Sequence, residues 1–418
     1  MEILPFDFDV FWAETGPAHK NNPAAFPPVT SITDTQETKP PPLVWLLFGE
    51  RRGDNAQVQA LARMLGWPYQ VKQLRWDAAY DVPPREAGVS LAGLDKTASD
   101  SLDAPWPDIV IGIGYRSAPV SRWIAQQGGN RALNIRPLNI RLGRPRTELS
   151  PYDLVITTPQ YGLPAAANVR ELALPLVAID EAQLAQARAR WLSRLTSLPR
   201  PWTAVLLGGP TQHMAFDERV AGEIAGELQA FATKAGGALL ITTSPRSPES
   251  LPGILARDII APHFLHAWRA DADNPYLALL AEADQVVVTS DSISMVADAA
   301  AFGKPMLIYE LPWLGRSKKP GLVAGVKRHV RERRERRGMA GRPADPLDRF
   351  YDLLTRLGRA RPRRNALEFT RRIYEAGIAR PFDADRIDLD WRPASAARAA
   401  QQRVIEEIRA LWRARQGR

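Results

Sequence analysis

QVVVTSDSISMVADAAAFGKPMLIYEL, residues 285–311, sets the fold class of the chain. Val286 to Val288 form an apolar run of strand length, the pattern of a strand covered on both faces. A polar elbow of small residues follows, Thr289, Ser290, Asp291, Ser292 and Ser294, and an Ala-rich helix then runs to the stop at Gly303 and Pro305. Met306 to Tyr309 supplies the next strand, so the stretch predicts a β-α-β unit of a parallel sheet. The elbow places hydroxyls and unbonded backbone N–H groups at the positive end of a helix, where a phosphate or diphosphate is readily held. Asp298 lies about two turns further along, within reach of a ribose if a nucleotide lies across the elbow. Serines that merely cap the helix are the alternative.

The same alternation extends outward. Val44 to Phe48 predicts a strand, Gly49 to Asn55 a polar loop, and Ala56 to Leu65 a helix stopped by Gly66. Strands are expected at Tyr69 to Leu74, Ile109 to Ile113, residues 132–135 and Leu154 to Thr157, with a helix over Pro119 to Gln127. A charged helical connector covers Glu181 to Leu195. Beyond Pro199 and Pro201 the pattern restarts with a strand at Thr203 to Leu207, the turn Gly208-Gly209-Pro210 and a helix over Phe216 to Lys234. A strand at Ala238 to Thr242 and a helix at Pro275 to Glu282 lead into the opening unit. The expected fold class is α/β, with two Rossmann-like domains whose parallel sheets face a central cleft. Expected boundaries are 1–42 for a loosely ordered, Pro-rich extension, 43–180 for the first domain and 181–200 for the connector. The second domain takes 201–390 with a basic insertion at 315–345, and 391–418 is an amphipathic helix with Ser395 as N-cap.

The chain has 418 residues, 45% of them hydrophobic, enough for two cores of ordinary size. No apolar run approaches the roughly 20 residues of a membrane span, and MEILPFDFDVFW lacks the basic start of a secretory signal. A cytoplasmic protein is expected. With no cysteine there is no disulfide, thiolate nucleophile or Cys-ligated zinc, and the five histidines show no H-E-x-x-H pattern. No metal or cofactor is expected. The net charge of +9 is concentrated: Arg316 to Arg337 holds ten Lys/Arg against two Glu. Such a block favours anionic partners, including an anionic membrane surface at the inner face of the cytoplasmic membrane. No aromatic residue interleaves it, so specific nucleic-acid recognition is disfavoured.

Residues 285–311 resemble the donor-binding element of the glycosyltransferase B (GT-B) superfamily. There a serine- and glycine-lined helix start holds the diphosphate, and an acidic residue ahead of Gly-x-Pro binds the ribose; Asp298 stands at that place. More narrowly, GDNAQVQALARMLGWPYQVKQL (53–74), PDIVIGIGYRSAPVSRWI (107–124), LLGGPTQHMAFD (206–217), ITTSPRSP (241–248), NPYLALLAEADQVVVTSDSISMVADAA (274–300) and GIARPF (377–382) resemble the mitochondrial-fission, elongated-mitochondria family. High Arg, Ala and Pro usage favours its bacterial branch. The resemblance implies a GT-B-like fold, an acceptor side in the first domain, a nucleotide-sugar side in the second, and a C-terminal helix packing back on the first domain. It implies two kinds of function. One is metal-independent transfer of a sugar from a nucleotide-activated donor to an envelope glycan or glycolipid acceptor. The other is non-catalytic interaction, since plant members serve as adaptors for dynamin-related proteins. An NAD-independent nucleotide-sugar epimerase is a third reading of the same donor seat.

Sugar transfer needs a base for the acceptor hydroxyl and fixed positive charge for the leaving diphosphate. In this superfamily the base comes from the loop after the first strand, which makes Asp54 and Glu50 the catalytic candidates. Asp54 also suits a helix N-cap. Arg51 and Arg52 flank both carboxylates and can grip an acceptor phosphate. Gly114, Arg116 and Ser117 form a second elbow on the acceptor side; the lone G-x-G lacks the third glycine of a dinucleotide fingerprint. On the donor side Gly208 and Gly209 permit close approach, Arg246 is the expected diphosphate cation, and Ser290, Ser292, Ser294 and Asp298 complete the seat. Asp271-Ala272-Asp273 follows no strand and is read as a turn, not a metal site.

Overall fold

The computed structural model describes residues 40–77, 82–127, 138–270, 273–314, 346–360, 362, 365–385 and 390–416. Most of the expected extension, the strand expected at 132–135 and the basic insertion at 315–345 lie outside the described residues.

Two parallel six-stranded sheets organise the chain. The first contains β1 (Val44–Phe48), β2 (Tyr69–Gln73), β3 (Ile109–Ile113), β4 (Leu138–Leu142), β5 (Leu154–Thr157) and β6 (Val169–Glu171), in the order β2-β1-β3-β4-β5-β6. The second contains β7 (Trp202–Leu206), β8 (Ala238–Thr242), β9 (His263–His266), β10 (Gln285–Thr289), β11 (Met306–Tyr309) and β12 (Arg380–Pro381), in the order β12-β11-β10-β7-β8-β9. That second order is the Rossmann arrangement read from the opposite edge. The helices are α1 (Arg52–Leu65), α2 (Pro84–Ala87), α3 (Ser117–Gln127), α4 (Glu181–Trp191), α5 (Glu218–Ala235), α6 (Leu251–Asp258), α7 (Tyr276–Glu282), α8 (Ile293–Ala301), α9 (Pro346–Arg356), α10 (Ala366–Glu375) and α11 (Ala396–Gln416).

The strand sequences explain the layering. β3, IVIGI, and β10, QVVVT, are buried at every position, because helices cover both faces of a parallel sheet. In the first sheet Leu46, Ile109, Ile111, Ile140 and Leu154 pack with Val58 and Leu61 of α1 on one face. Trp45, Leu47 and Val110 pack with Val120 and Ile124 of α3 on the other. β4 reads LNIRL, so its second face is polar, with Asn139 and Arg141 fully buried. That interruption hides the strand in the sequence.

Helix ends follow local chemistry. Asp180, Asp217, Ser292 and Asn365 cap α4, α5, α8 and α10 through side-chain acceptors. α1 departs from expectation. It starts at Arg52, with Arg51 as an N-cap that makes no side-chain bond, so Asp54 sits inside the first turn and does not cap. Asn55 replaces a cap: its Nδ2 donates to the Gly49 carbonyl at 2.9 Å and its Oδ1 accepts from the Gly49 N–H at 2.9 Å. The loop after β1 is thereby fixed.

α11 joins the two halves. Arg398 near its start donates to the Ala301 carbonyl at the end of α8. Val404, Ile405 and Ile408 enter the first sheet's core, each contributing about 1.5–3 kcal/mol by burial. Arg170–Glu407 and Arg415–Asp153 ion pairs, both at 2.6 Å, fix its register.

Candidate functional site

In an open parallel sheet ligands bind beyond the carboxyl ends of the strands, where the chain reverses its direction of winding. The strand orders place these reversals between β1 and β3 in the first sheet and between β7 and β10 in the second. The loops there are Gly49–Arg51 and Gly114–Arg116 in the first sheet, and Leu207–Gly209 and Ser290–Ser292 in the second.

At the second reversal the loops interlock. The Gly208 N–H donates to Thr289 Oγ1 at 2.8 Å, and the Gly209 N–H donates to Asp291 Oδ2 at 3.0 Å. Arg246, from the loop after β8, donates through Nη2 to the same Asp291 oxygen at 2.6 Å and through Nη1 to the Gly209 carbonyl at 3.2 Å. The Asp291 carboxylate is wholly covered, and its Oδ1 has no hydrogen-bond partner among the described residues. Both glycines are required here. A Cβ on Gly208 would lie 2.1 Å from Asp291 Oδ2, and one on Gly209 would lie 2.0 Å from the Arg246 carbonyl oxygen.

The elbow serines divide their roles. Ser290 is buried, accepting from the Leu311 N–H at 3.1 Å and donating to Met214 Sδ at 3.7 Å, so its hydroxyl is committed inward. Ser292 Oγ accepts from the Met295 N–H as the cap of α8. Ser294 is exposed on the first turn. Asp298 accepts from the Tyr276 hydroxyl at 2.9 Å. Burial pushes its carboxyl up to about 6, against the lowering effect of that bond, and burial also holds the Tyr276 phenol well above its ordinary range.

The first reversal gathers the acceptor-side candidates. Glu50 meets Arg116 at 3.5 Å, both partly exposed. Asp54 lies against Gly114, where a Cβ would be 3.5 Å from Asp54 Oδ2. Gly114 has φ 75°, a left-handed conformation that favours glycine. Ser117 opens α3; its Oγ donates to the Ile113 carbonyl at 2.6 Å and accepts from Arg141 Nη2 at 3.0 Å. Arg146, in left-handed backbone at φ 58°, lies 4.4 Å over the Tyr115 ring. Arg51 is exposed beside Glu50, and Arg52 is half-buried at the start of α1.

The expected residues therefore form two clusters: Glu50, Asp54, Gly114, Arg116 and Ser117 in the first domain, and Gly208, Gly209 and Arg246 in the second. Asp291, Arg141, Tyr276 and Asn55 complete them and escaped the sequence reading. Asp291 was legible only as an elbow residue, and nothing in LNIRL marks Arg141 as lying beneath α3.

The model of the family described as Mitochondrial fission ELM1 matches residues 52–348, more than half of the chain. The chain belongs to the mitochondrial fission ELM1 family. Mitochondrial fission protein ELM1 of Arabidopsis thaliana is 24% identical over 273 residues, covering 60% of this chain and 61% of that relative's length. Uncharacterized protein RP120 of Rickettsia prowazekii is 24% identical over 298 residues, covering 64% of this chain and 83% of its own. Solved structures that this chain is similar to include MurG of Acinetobacter baumannii, at TM-score 0.37 and 15% identity over 88% of this chain and 100% of that one. A UDP-glucosyltransferase of Polygonum tinctorium has TM-score 0.40 and 12% identity, over 90% and 100% of the two chains. Within this ELM1 family member, the family match takes in the second reversal and the Gly114–Arg116 loop of the first, and begins just after the Gly49–Arg51 loop.

Proposed function

We propose that this ELM1 family chain binds a nucleotide-activated sugar at the second reversal and transfers the sugar to a hydroxyl acceptor held at the first. The observation that carries the reading is the convergence of Gly208, Gly209, Arg246 and the start of α8 at the reversal of a Rossmann-ordered sheet, with Asp298 further along the same helix. Arg246 and the α8 dipole hold the diphosphate without a metal, and the Asp298 carboxylate accepts from the ribose hydroxyls.

In the transfer, the acceptor oxygen bonds to the anomeric carbon while the bond to the diphosphate breaks with its electron pair on the phosphate oxygen. The acceptor proton goes to Asp54 or Glu50. Glu50 is held in an ion pair by Arg116, and Asp54 lies against Gly114 of the second elbow, so Asp54 is the first choice. The acceptor is an envelope glycan or glycolipid, and the basic insertion draws the protein to an anionic membrane surface.

A non-catalytic binding role is the second reading, favoured by one observation. Asp291 already fills the anion-binding groups of Arg246 and Gly209, so the seat is closed to a diphosphate until that carboxylate moves. Release of nucleoside diphosphate from UDP-, GDP- and dTDP-sugars in the presence of acceptor lipid separates the two. Transfer predicts release that Asp54→Asn abolishes and Arg51→Ala only weakens. Binding without release in folded protein favours the second reading.

A further inference from the structure

Arg141 lies in the middle of β4 with its side chain wholly covered. Its Nη2 serves Ser117, while Nε and Nη1 are buried with no hydrogen-bond partner among the described residues. A post for the Ser117 hydroxyl needs one donor. A guanidinium brings five donors and a charge, and burying such a charge underserved is costly. Gly112 makes the room for it, since a Cβ there would lie 2.7 Å from Nη1.

The surroundings give this charge a direction. The guanidinium touches Ser117, the first residue of α3, an eleven-residue helix whose Ser117 N–H and positive dipole end lie at the reversal; Pro119 has no N–H, and the Ala118 N–H donates to the Tyr115 carbonyl at 3.3 Å. Arg116 and Arg146 flank Tyr115 in the same loop region, Arg146 with a left-handed backbone that a non-glycine residue adopts only under constraint. Asp54 and Glu50 are the opposing carboxylates. Burial lowers the Arg141 pKa, opposed by Tyr152 and, to a lesser extent, by Asp54, and Glu50 is occupied by Arg116.

We propose that the start of α3, over Arg141, is a seat for a phosphate-type oxyanion carried by the acceptor. The Ser117 N–H and Arg116 contact the anion, and Arg141 supplies charge from beneath through a layer of low dielectric. The acceptor is then a phosphorylated sugar or a lipid-linked phosphate, with its hydroxyl toward Asp54. That assignment to the acceptor rests on the proposed transfer; the anion seat itself does not.

The test is a calorimetric titration of the full chain with inorganic pyrophosphate, carried out in Arg246→Gln protein so that the second reversal is silent. Binding should persist there, fall at least tenfold on adding Arg141→Gln, and be largely retained with Arg141→Lys. Equal binding by a folded Arg141→Gln protein would overturn the seat. Should that variant not fold, crystals of the parent soaked in tungstate decide: an anomalous peak at the start of α3 supports the proposal, and its absence there contradicts it. Glucose 1-phosphate in solution and vesicles containing phosphatidic acid then distinguish the two sources by which one shows Arg141-dependent binding. Because nucleotide binding depends on Arg246 and Asp298, its failure would leave the pyrophosphate result intact and separately readable.

Discussion

Arg246 Nη2 and Asp291 Oδ2 stand 2.6 Å apart, joining the loop after β8 to the elbow before α8 across the intervening β7. Asp291 is wholly covered and Arg246 is 21% exposed. Removing one partner takes the ion pair from the other and leaves it only its hydrogen bonds to Gly209 and neighbours. Arg246→Ala leaves a buried carboxylate uncompensated and should cost about 3–5 kcal/mol of stability, read from urea denaturation. Asp291→Asn keeps the shape and releases Arg246, so it should tighten binding of a nucleoside diphosphate. Weaker binding in Asp291→Asn would mean that the pair is part of the seat and does not compete with the ligand.

Gly208→Ala tests the same contact from the backbone. Its Cβ would meet the Asp291 carboxylate at 2.1 Å, a collision with a fixed group. A loss of about 1–3 kcal/mol is expected, the range for overpacking. Wild-type stability in thermal unfolding would show that Asp291 can move aside.

The raised carboxyl of Asp298 predicts two pH effects of defined sign. The folded chain binds this proton more tightly than the unfolded chain, whose carboxyl has the ordinary value of 3.8. Its contribution to stability is therefore fully present below that value and is lost as pH rises to about 6. Asp298→Asn should remove this slope from urea titrations at pH 4 to 7. Nucleotide affinity should run the other way, since only the carboxylate accepts both ribose hydroxyls. Affinity should fall from pH 7.5 to 5 in the parent and stay flatter in Asp298→Asn. Parallel profiles would remove Asp298 from the ribose.

Ile405 and Ile408 carry the C-terminal helix into the first core with essentially no exposed surface. Ile405→Ala or Ile408→Ala should each cost about 2–5 kcal/mol in urea denaturation. A cost below 1 kcal/mol in both would show that α11 contributes little to holding the first domain.

The sequence made the strands of strong apolar content legible. Ile109–Ile113, Leu154–Thr157, Ala238–Thr242 and Met306–Tyr309 lie where the runs predict them, because burial on both faces leaves no other reading. Strands with a polar face did not declare themselves: β4 carries Asn139 and Arg141, and β9, HFLH, is only partly buried. α9 and α10 were hidden by dense charge around their apolar stripes. At the candidate site, the sequence pointed to loops and not to pairings. Gly208, Gly209 and Arg246 were legible as strand-end residues. Their closure by Asp291, the inward turn of Ser290 and the seating of Arg141 under Ser117 depend on contacts across 24 to 82 residues of sequence, which no local pattern encodes.

Everything proposed for the second reversal depends on its seating a nucleotide. Calorimetric titration of the full chain with UDP, GDP, dTDP, ADP and CMP addresses it most directly, repeated in Asp298→Ala and Arg246→Ala proteins shown to be folded. The account predicts that one nucleotide binds the parent and that each substitution weakens it at least tenfold. Failure of every nucleotide to bind folded parent protein, or binding indifferent to both substitutions, would contradict it.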